Sequence, residues 1–414
     1  MLHKLALFLL LVVLQAGIDG YIYSALLSVK LNLVEKKRKW FSYFWWGYSI
    51  LLILAVIFSF YFDLKLTIKA IILAAFFLSF ITKLCFIPFL LLDDIRRKIL
   101  AYREKNNNTP NKHLNDDKAK IPRSEFLVKA GIAVAAIPLA TLSWGIVSNA
   151  YDYQVIRRKL YLKNLPKGFN GLRIAQFSDI HSGSFYNKTA VKGGVELLLA
   201  ERPDVIFFTG DLINNKASEM RDYQDLFTKV KAPLGVFSIL GNHDYGNYYY
   251  GDEPSPAKTK NFEDLVKTHK LMGWDLLLDE HRRLRVNNEE IGILGCQNWG
   301  KGRIQKGDLV KTLKGTEDLP VKVLLSHDPS HWREQILNHS DIDVTFSGHT
   351  HGMQFGVRAD DFQWSPVEYI YKEWAGLYQV KNQQLYVNVG YGFLGYPGRV
   401  GILPEITIFD LQAV

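Results

Sequence analysis

The stretch Leu172-Arg-Ile-Ala-Gln-Phe-Ser-Asp-Ile-His181 decides the fold of this chain. It is a short apolar run that stops at a polar Asp-x-His, and the same grammar recurs four times downstream. Asp204-Val-Ile-Phe-Phe-Thr209 stops at Gly210-Asp211, and Val236-Phe-Ser-Ile-Leu240 stops at Gly241-Asn242-His243-Asp244. Val321-Lys-Val-Leu-Leu325 stops at Ser326-His327, and Val344-Thr-Phe346 leads to Gly348-His349-Thr350-His351. Helical patterns over Val191–Ala200 and Arg221–Val230 separate the first runs. Short buried strands alternating with helices indicate an α/β fold, in which sites gather beyond the carboxyl ends of the strands.

Each motif alone is weak: Gly-Asp is an ordinary turn and a lone histidine an ordinary loop residue. Five in order, all at strand ends, supply aspartate, asparagine and histidine as a two-metal phosphoester hydrolase needs them. Oxygen and imidazole donors together suit manganese, iron or zinc better than calcium. Cys85 and Cys296 lie too far apart in character to form a thiolate metal site, and no disulfide is expected between them.

Working outward, the first third is of another kind. Four apolar stretches, Leu5–Val29, Trp40–Phe62, Leu66–Leu92 and Phe126–Val147, each approach the roughly 20 residues that cross a bilayer as a helix. The expected division is therefore a transmembrane region over 1–150 and a catalytic domain over 151–414. The net charge of +9 sits largely in clusters flanking the spans, such as Lys36–Lys39 and Arg96–Lys98, so nucleic acid is not an expected partner. Basic loops at Lys30–Lys39 and Arg96–Arg123 are placed in the cytoplasm by the positive-inside rule, which puts the catalytic half on the outer, periplasmic face of an inner membrane. The competing reading, a cleavable signal peptide over residues 1–20, leaves Lys36–Lys39 outside. Residues 101–122 read as a mobile polar loop. Pro122-Arg-Ser-Glu-Phe-Leu-Val-Lys-Ala-Gly131 resembles a twin-arginine export signal lacking its second arginine. Asp19 and Lys83, ionisable residues inside apolar spans, are expected to pair.

From about Leu160 to the C-terminus the chain resembles the calcineurin-like metallophosphoesterases. Within them it resembles the membrane-associated bacterial branch of twin-arginine-exported phosphoesterases and UDP-diacylglucosamine pyrophosphohydrolases. The likeness includes the lead-in Leu165–Gly171 and the closing run from Tyr386-Val-Asn-Val-Gly-Tyr-Gly392 to Thr407. It implies a four-layer αββα sandwich. It implies that Asp179, His181 and His351 bind one divalent metal, that Asp211 bridges, and that Asn242, His327 and His349 bind a second. A metal-bridging hydroxide then attacks phosphorus, while His243, oriented by Asp244, protonates the leaving oxygen. Met353 stands where relatives often have glycine. Two further expectations concern the pocket edge. The tyrosines of residues 245–260 form a lid or membrane-touching edge, and Arg399 meets a substrate phosphate.

The function expected is a membrane-anchored, binuclear-metal phosphodiesterase or phosphomonoesterase, acting on lipid-linked phosphoesters near the headgroups. The alternatives are a UDP-2,3-diacylglucosamine pyrophosphohydrolase, which requires a cytoplasmic site, and a catalytically inactive membrane scaffold. Oligomeric state is not legible.

Overall fold

The computed structural model describes residues 2–29, 37–62, 64, 66–106, 122–302, 304–339, 341–359 and 362–414. Part of the basic loop expected over Lys30–Lys39 (residues 30–36), the charged turn residues 63 and 65, and most of the loop expected to be mobile (107–121) lie outside these. The chain divides into two units, Met1–Trp144 and Gly145–Val414.

The first unit is helical: α1 (Leu2–Ser28), α2 (Arg38–Tyr61), α3 (Leu66–Asn106) and α4 (Glu125–Val147), the last three residues of α4 belonging to the second unit. Among the described residues three helices are long and apolar enough to cross a membrane, while α1 contributes the shorter apolar stretch Val12–Ser28. α3 runs past the apolar span expected to end at Leu92, so residues 101–106 are helix and not loop. Small residues let the helices approach: a Cβ on Gly131 would stand 2.5 Å from the Phe86 ring. The expected pair forms, with Lys83 Nζ 2.5 Å from Asp19 Oδ1. Asp19 is fully buried and also receives hydrogen bonds from Ser49 Oγ and Gln15 Nε2. The Pro122-Arg-Ser segment has a structural role. Asp93 accepts from the Ser124 amide at 3.0 Å, and Arg123 pairs with Asp94 at 3.0 Å, which ties the start of α4 to α3.

The second unit holds two six-stranded sheets. Strands β1 (Gln154–Leu162), β2 (Arg173–Phe177), β3 (Val205–Phe208), β4 (Val236–Ser238) and β5 (Asp275–Leu276) form the first with the C-terminal β14 (Glu405–Ala413), in the order β1-β14-β2-β3-β4-β5. The second sheet contains β6 (Glu280–Val286), β7 (Glu289–Gly295), β8 (Lys322–Leu325), β9 (Val344–Ser347), β12 (Gly376–Val380) and β13 (Gln383–Val387), in the order β12-β13-β9-β8-β7-β6. A two-stranded ribbon, β10 (Val357–Arg358) and β11 (Gln363–Trp364), stands apart from both.

Period-2 alternation builds the layers. In β3, Val205 and Phe207 point into the core between the sheets, where they join Ile291, Ile293, Val323 and Phe346. Ile206 and Phe208 point the other way, toward helices α5 (Lys188–Ala200) and α6 (Pro256–Met272). Leu324 and Leu385 of the second sheet face a third cluster with Trp332 and Ile336. Three apolar clusters separated by two sheets make the four-layer αββα sandwich expected from the resemblance. Nearly all of β2, β3, β8 and β9 is buried, which explains their unbroken apolar runs.

Candidate metal centre

The strands that end in the motifs are neighbours. β2, β3 and β4 run parallel and adjacent, as do β8 and β9. Their five following loops therefore open at the same edge, and the structure brings their polar residues to one place.

Two groups of side chains could each hold a metal ion: Asp179, His181 and His351, and Asp211, His327 and His349, with the ligand atoms of each group within 4.8 Å of one another. Asp211 lies between them. Its Oδ2 is 3.5 Å from His181 Nε2 and 3.2 Å from His327 Nε2. His181 Nε2 and His351 Nε2 face each other at 3.0 Å, a juxtaposition that brings two ring nitrogens to a single point. His351 Nε2 is also 3.4 Å from Asp179 Oδ1. Asn242 Oδ1 is buried with no hydrogen-bond partner among the described residues, as is His181 Nδ1. Such an oxygen without a partner is costly unless something else takes its lone pairs. The donor set, the facing nitrogens and this amide oxygen together fit divalent transition metals.

The loops are shaped for close approach. Asp179, His181, Asp211, His349 and His351 all have positive φ, between 47° and 75°. Non-glycine residues rarely adopt this region, and such strain collects at functional sites. Two glycines leave room for the carboxylates: a Cβ on Gly348 would stand 2.3 Å from Asp179 Oδ2, and one on Gly241 would stand 2.2 Å from Asp211 Oδ1. Met353, also at positive φ, is exposed and replaces no ligand.

The charges are arranged for cation binding. Burial alone would raise the Asp211 carboxyl, but the imidazoles of His327, His243 and His181 hold it well below the ordinary range. Burial opposes protonation of His327, yet the Asp211 carboxylate beside it pulls it up to about 10, so a metal taken up at this imidazole would have to displace a proton. Burial pushes Asp179 up to about 7, against His327 and reinforced by Asp211. Burial lowers His181 to about 3 and also lowers His349 and His351, which keeps these imidazoles neutral as metal ligands must be.

Two residues sit otherwise than the sequence suggested. Asp244 directs its hydrogen bonds to backbone amides and not to the His243 ring. Its fully buried carboxylate accepts four amides, from Gly241 (2.9 Å), Asp211 (2.9 Å), Leu212 (2.9 Å) and Ile213 (3.2 Å), and so fixes the loop that carries Asp211. His243 is held instead by the Asn214 carbonyl, 2.8 Å from Nδ1, and its ring stands 4.9 Å from that of His181. Arg399 is fully buried and donates to the carbonyls of Val389, Gly390, Gly392 and Ile402. It lies behind His351, with Nη2 3.4 Å from Nδ1, and is closed to substrate. Its guanidinium orders the loop after β13.

The residues that sequence reasoning missed are partners of the ligands. The Thr209 carbonyl lies 2.7 Å from His327 Nδ1, and Tyr371 Oη lies 2.7 Å from His349 Nε2. Neither belongs to a motif. In the tyrosine-rich segment, Asn247–Tyr250 is one helical turn, and Tyr248 stacks on His243 with centroids 4.5 Å apart.

Comparison with known proteins agrees with this geometry. Residues 172–353 match the family model "Calcineurin-like phosphoesterase", and residues 4–150 match "Probable Calcineurin-like phosphoesterase, transmembrane domain". A zebrafish (Danio rerio) "Transmembrane protein with metallophosphoesterase domain" is 28% identical over 290 residues, covering 67% of this chain and 62% of the relative. The similarly described Bos taurus protein is 28% identical over 278 residues, 65% of this chain and 59% of its own. The Bacillus subtilis (strain 168) metallophosphoesterase YkuE, described as uncharacterized, is 29% identical over 255 residues, 60% of this chain and 82% of its own. The chain spans about 60% of the length of the two animal relatives, and it joins a calcineurin-like phosphoesterase domain to a transmembrane domain, with homologues described as metallophosphoesterases.

Proposed function

We propose that this protein is a membrane-anchored phosphoester hydrolase with a two-metal centre. The observation that carries the reading is the position of Asp211 Oδ2 between His181 Nε2 and His327 Nε2, with Asp179 and His351 grouped with the first histidine and His349 with the second. Asp179, His181 and His351 would hold one ion, Asn242, His327 and His349 the other, and Asp211 both. Manganese, iron or zinc suits these donors. Bound there, the ions neutralise phosphoryl oxygens and make water acidic enough to act at neutral pH.

The chain's own residues supply the rest. With the Asn214 carbonyl accepting from His243 Nδ1–H, Nε2 is the atom free to face the leaving oxygen, and in the imidazolium form it carries the second proton, the one given to that oxygen. Asp244 contributes by holding the Asp211 loop and not by orienting His243. The transmembrane half, taken to end near residue 150, tethers this chemistry to a bilayer, and a lipid-linked phosphodiester or pyrophosphate is the substrate class that suits a tethered site. Lys37, Arg38 and Lys39 at the start of α2 and Arg96, Arg97 and Lys98 in α3 support a cytoplasmic side for those ends and an external catalytic domain.

The test is hydrolysis of bis-p-nitrophenyl phosphate by the detergent-purified protein with added manganese. Metal-dependent turnover that disappears in Asp211→Asn and His243→Ala is expected. Turnover that persists in Asp211→Asn would overturn the assignment.

A further inference from the structure

Two of the ligands proposed for the second metal can each present the wrong atom. A rotated amide offers Nδ2 in place of Oδ1, and an imidazole offers either of its nitrogens. At both residues a tyrosine takes the atom that must face away. Tyr248 Oη accepts from Asn242 Nδ2 at 3.0 Å, and it is Oδ1 of this amide that is left buried and without a partner. Tyr371 Oη lies 2.7 Å from His349 Nε2, with Asp328 Oδ2 3.6 Å from the same nitrogen, which leaves Nδ1 available. The other two ligands of that metal need no such help. His327 has its Nδ1 on the Thr209 carbonyl, and the two oxygens of a carboxylate such as Asp211 are equivalent donors.

We infer that Tyr248 and Tyr371 are positioning residues of the second metal site, one turning Asn242 Oδ1 and the other His349 Nδ1 toward the ion. They arrive from separate segments, Tyr248 on the turn Asn247–Tyr250 and Tyr371 beyond the turn Pro366–Tyr369. Ligand orientation by an outer hydrogen bond is a general device: removing such a partner lowers metal affinity by about 10- to 100-fold. With Nδ1 directed at the ion, His349 Nε2–H donates to the Tyr371 oxygen. Among the described residues neither hydroxyl hydrogen-bonds a ligand proposed for the first metal, so the effect is expected at one ion.

The inference rests on the two-metal reading, and calorimetric titration of the metal-stripped full-length protein with manganese separates the two. Two binding events in the wild type are expected, and a wild type that takes up a single ion would sink the two-metal reading itself. Tyr248→Phe and Tyr371→Phe keep the rings, including the stack on His243, and remove only the hydroxyls. Each is expected to weaken one event by about tenfold or more, the same event in both variants, and to leave the other unchanged. Tyr249→Phe, on the same turn but packed on Lys216 and Tyr250, is expected to match the wild type. Wild-type affinity for both ions in Tyr248→Phe and Tyr371→Phe would overturn the inference, as would equal weakening in Tyr249→Phe.

Discussion

Asp244→Asn separates two roles that one carboxylate can play beside a histidine. In the structure Oδ1 accepts the amides of Leu212 and Ile213, and Oδ2 accepts those of Asp211 and Gly241. An asparagine keeps one oxygen and turns an NH2 group toward the other pair. Two buried amides then face a donor, at about 1–3 kcal/mol each, or about 2–6 kcal/mol in all. That is a large part of the roughly 5–15 kcal/mol that stabilises a typical domain. The loss falls on the loop carrying Asp211, so hydrogen exchange by mass spectrometry over residues 205–216 and 241–246 reads it locally. Exchange of these amides is expected to speed up by about 30-fold or more, the equivalent of 2 kcal/mol, and metal binding is expected to fall with it. Unchanged exchange and metal content, with turnover alone reduced, would refute this reasoning and return Asp244 to orienting His243.

Gly348→Ala places a methyl group 2.3 Å from Asp179 Oδ2 and 1.9 Å from Ser178 Oγ, so the carboxylate must move. Loss of the ion assigned to Asp179, His181 and His351 in the proposed centre is expected in metal analysis of the purified variant, and full occupancy would argue that the loop yields. The fold is also expected to weaken in mild acid for a reason independent of metals. Burial lowers His269 to about 3 and His331 to about 4 from an ordinary 6.5, so the folded chain resists protons that the unfolded chain accepts. This stability is complete above pH 6.5 and is lost as pH falls toward 4, by up to about 1.4 kcal/mol per pH unit for each histidine. The drop in urea midpoint between pH 7.5 and 5.5 should shrink in His269→Gln, and an identical drop would show that this residue is not responsible. In the membrane unit, Asp19→Lys or Lys83→Asp alone should lower expression, and the double exchange should recover it. No recovery would mean that Ser49 and Gln15 define the site's polarity more than the ion pair does.

What could be read from the sequence was what depends on local order. Asp179, Asp211, Asn242, His327 and His349 each follow an apolar run, and a strand forces the next residues to its carboxyl edge. What could not be read depends on contacts across the chain. Asp244 looks like a partner of its neighbour His243, but three of the four amides that fill its acceptors lie about thirty residues away. Tyr371 is 22 residues from the histidine it holds and lies in no motif. Arg399 in Pro-Gly-Arg resembles a solvated loop arginine, and only the fold shows that four carbonyls enclose it. Other features had signals that were passed over. Ser255-Pro256, an N-cap followed by proline at the first helical position, announces α6 inside what read as a tyrosine loop. Asn287-Asn288, both at positive φ, make the tight turn between β6 and β7. The helical pattern over Arg221–Val230 shrank to the short helix Gln224–Phe227.

The most direct test of the account is anomalous scattering from crystals of the protein soaked in manganese. The account predicts two peaks, one among Asp179, His181 and His351, the other among Asn242, His327 and His349, with Asp211 touching both. A single peak, or two that do not share Asp211, would contradict it.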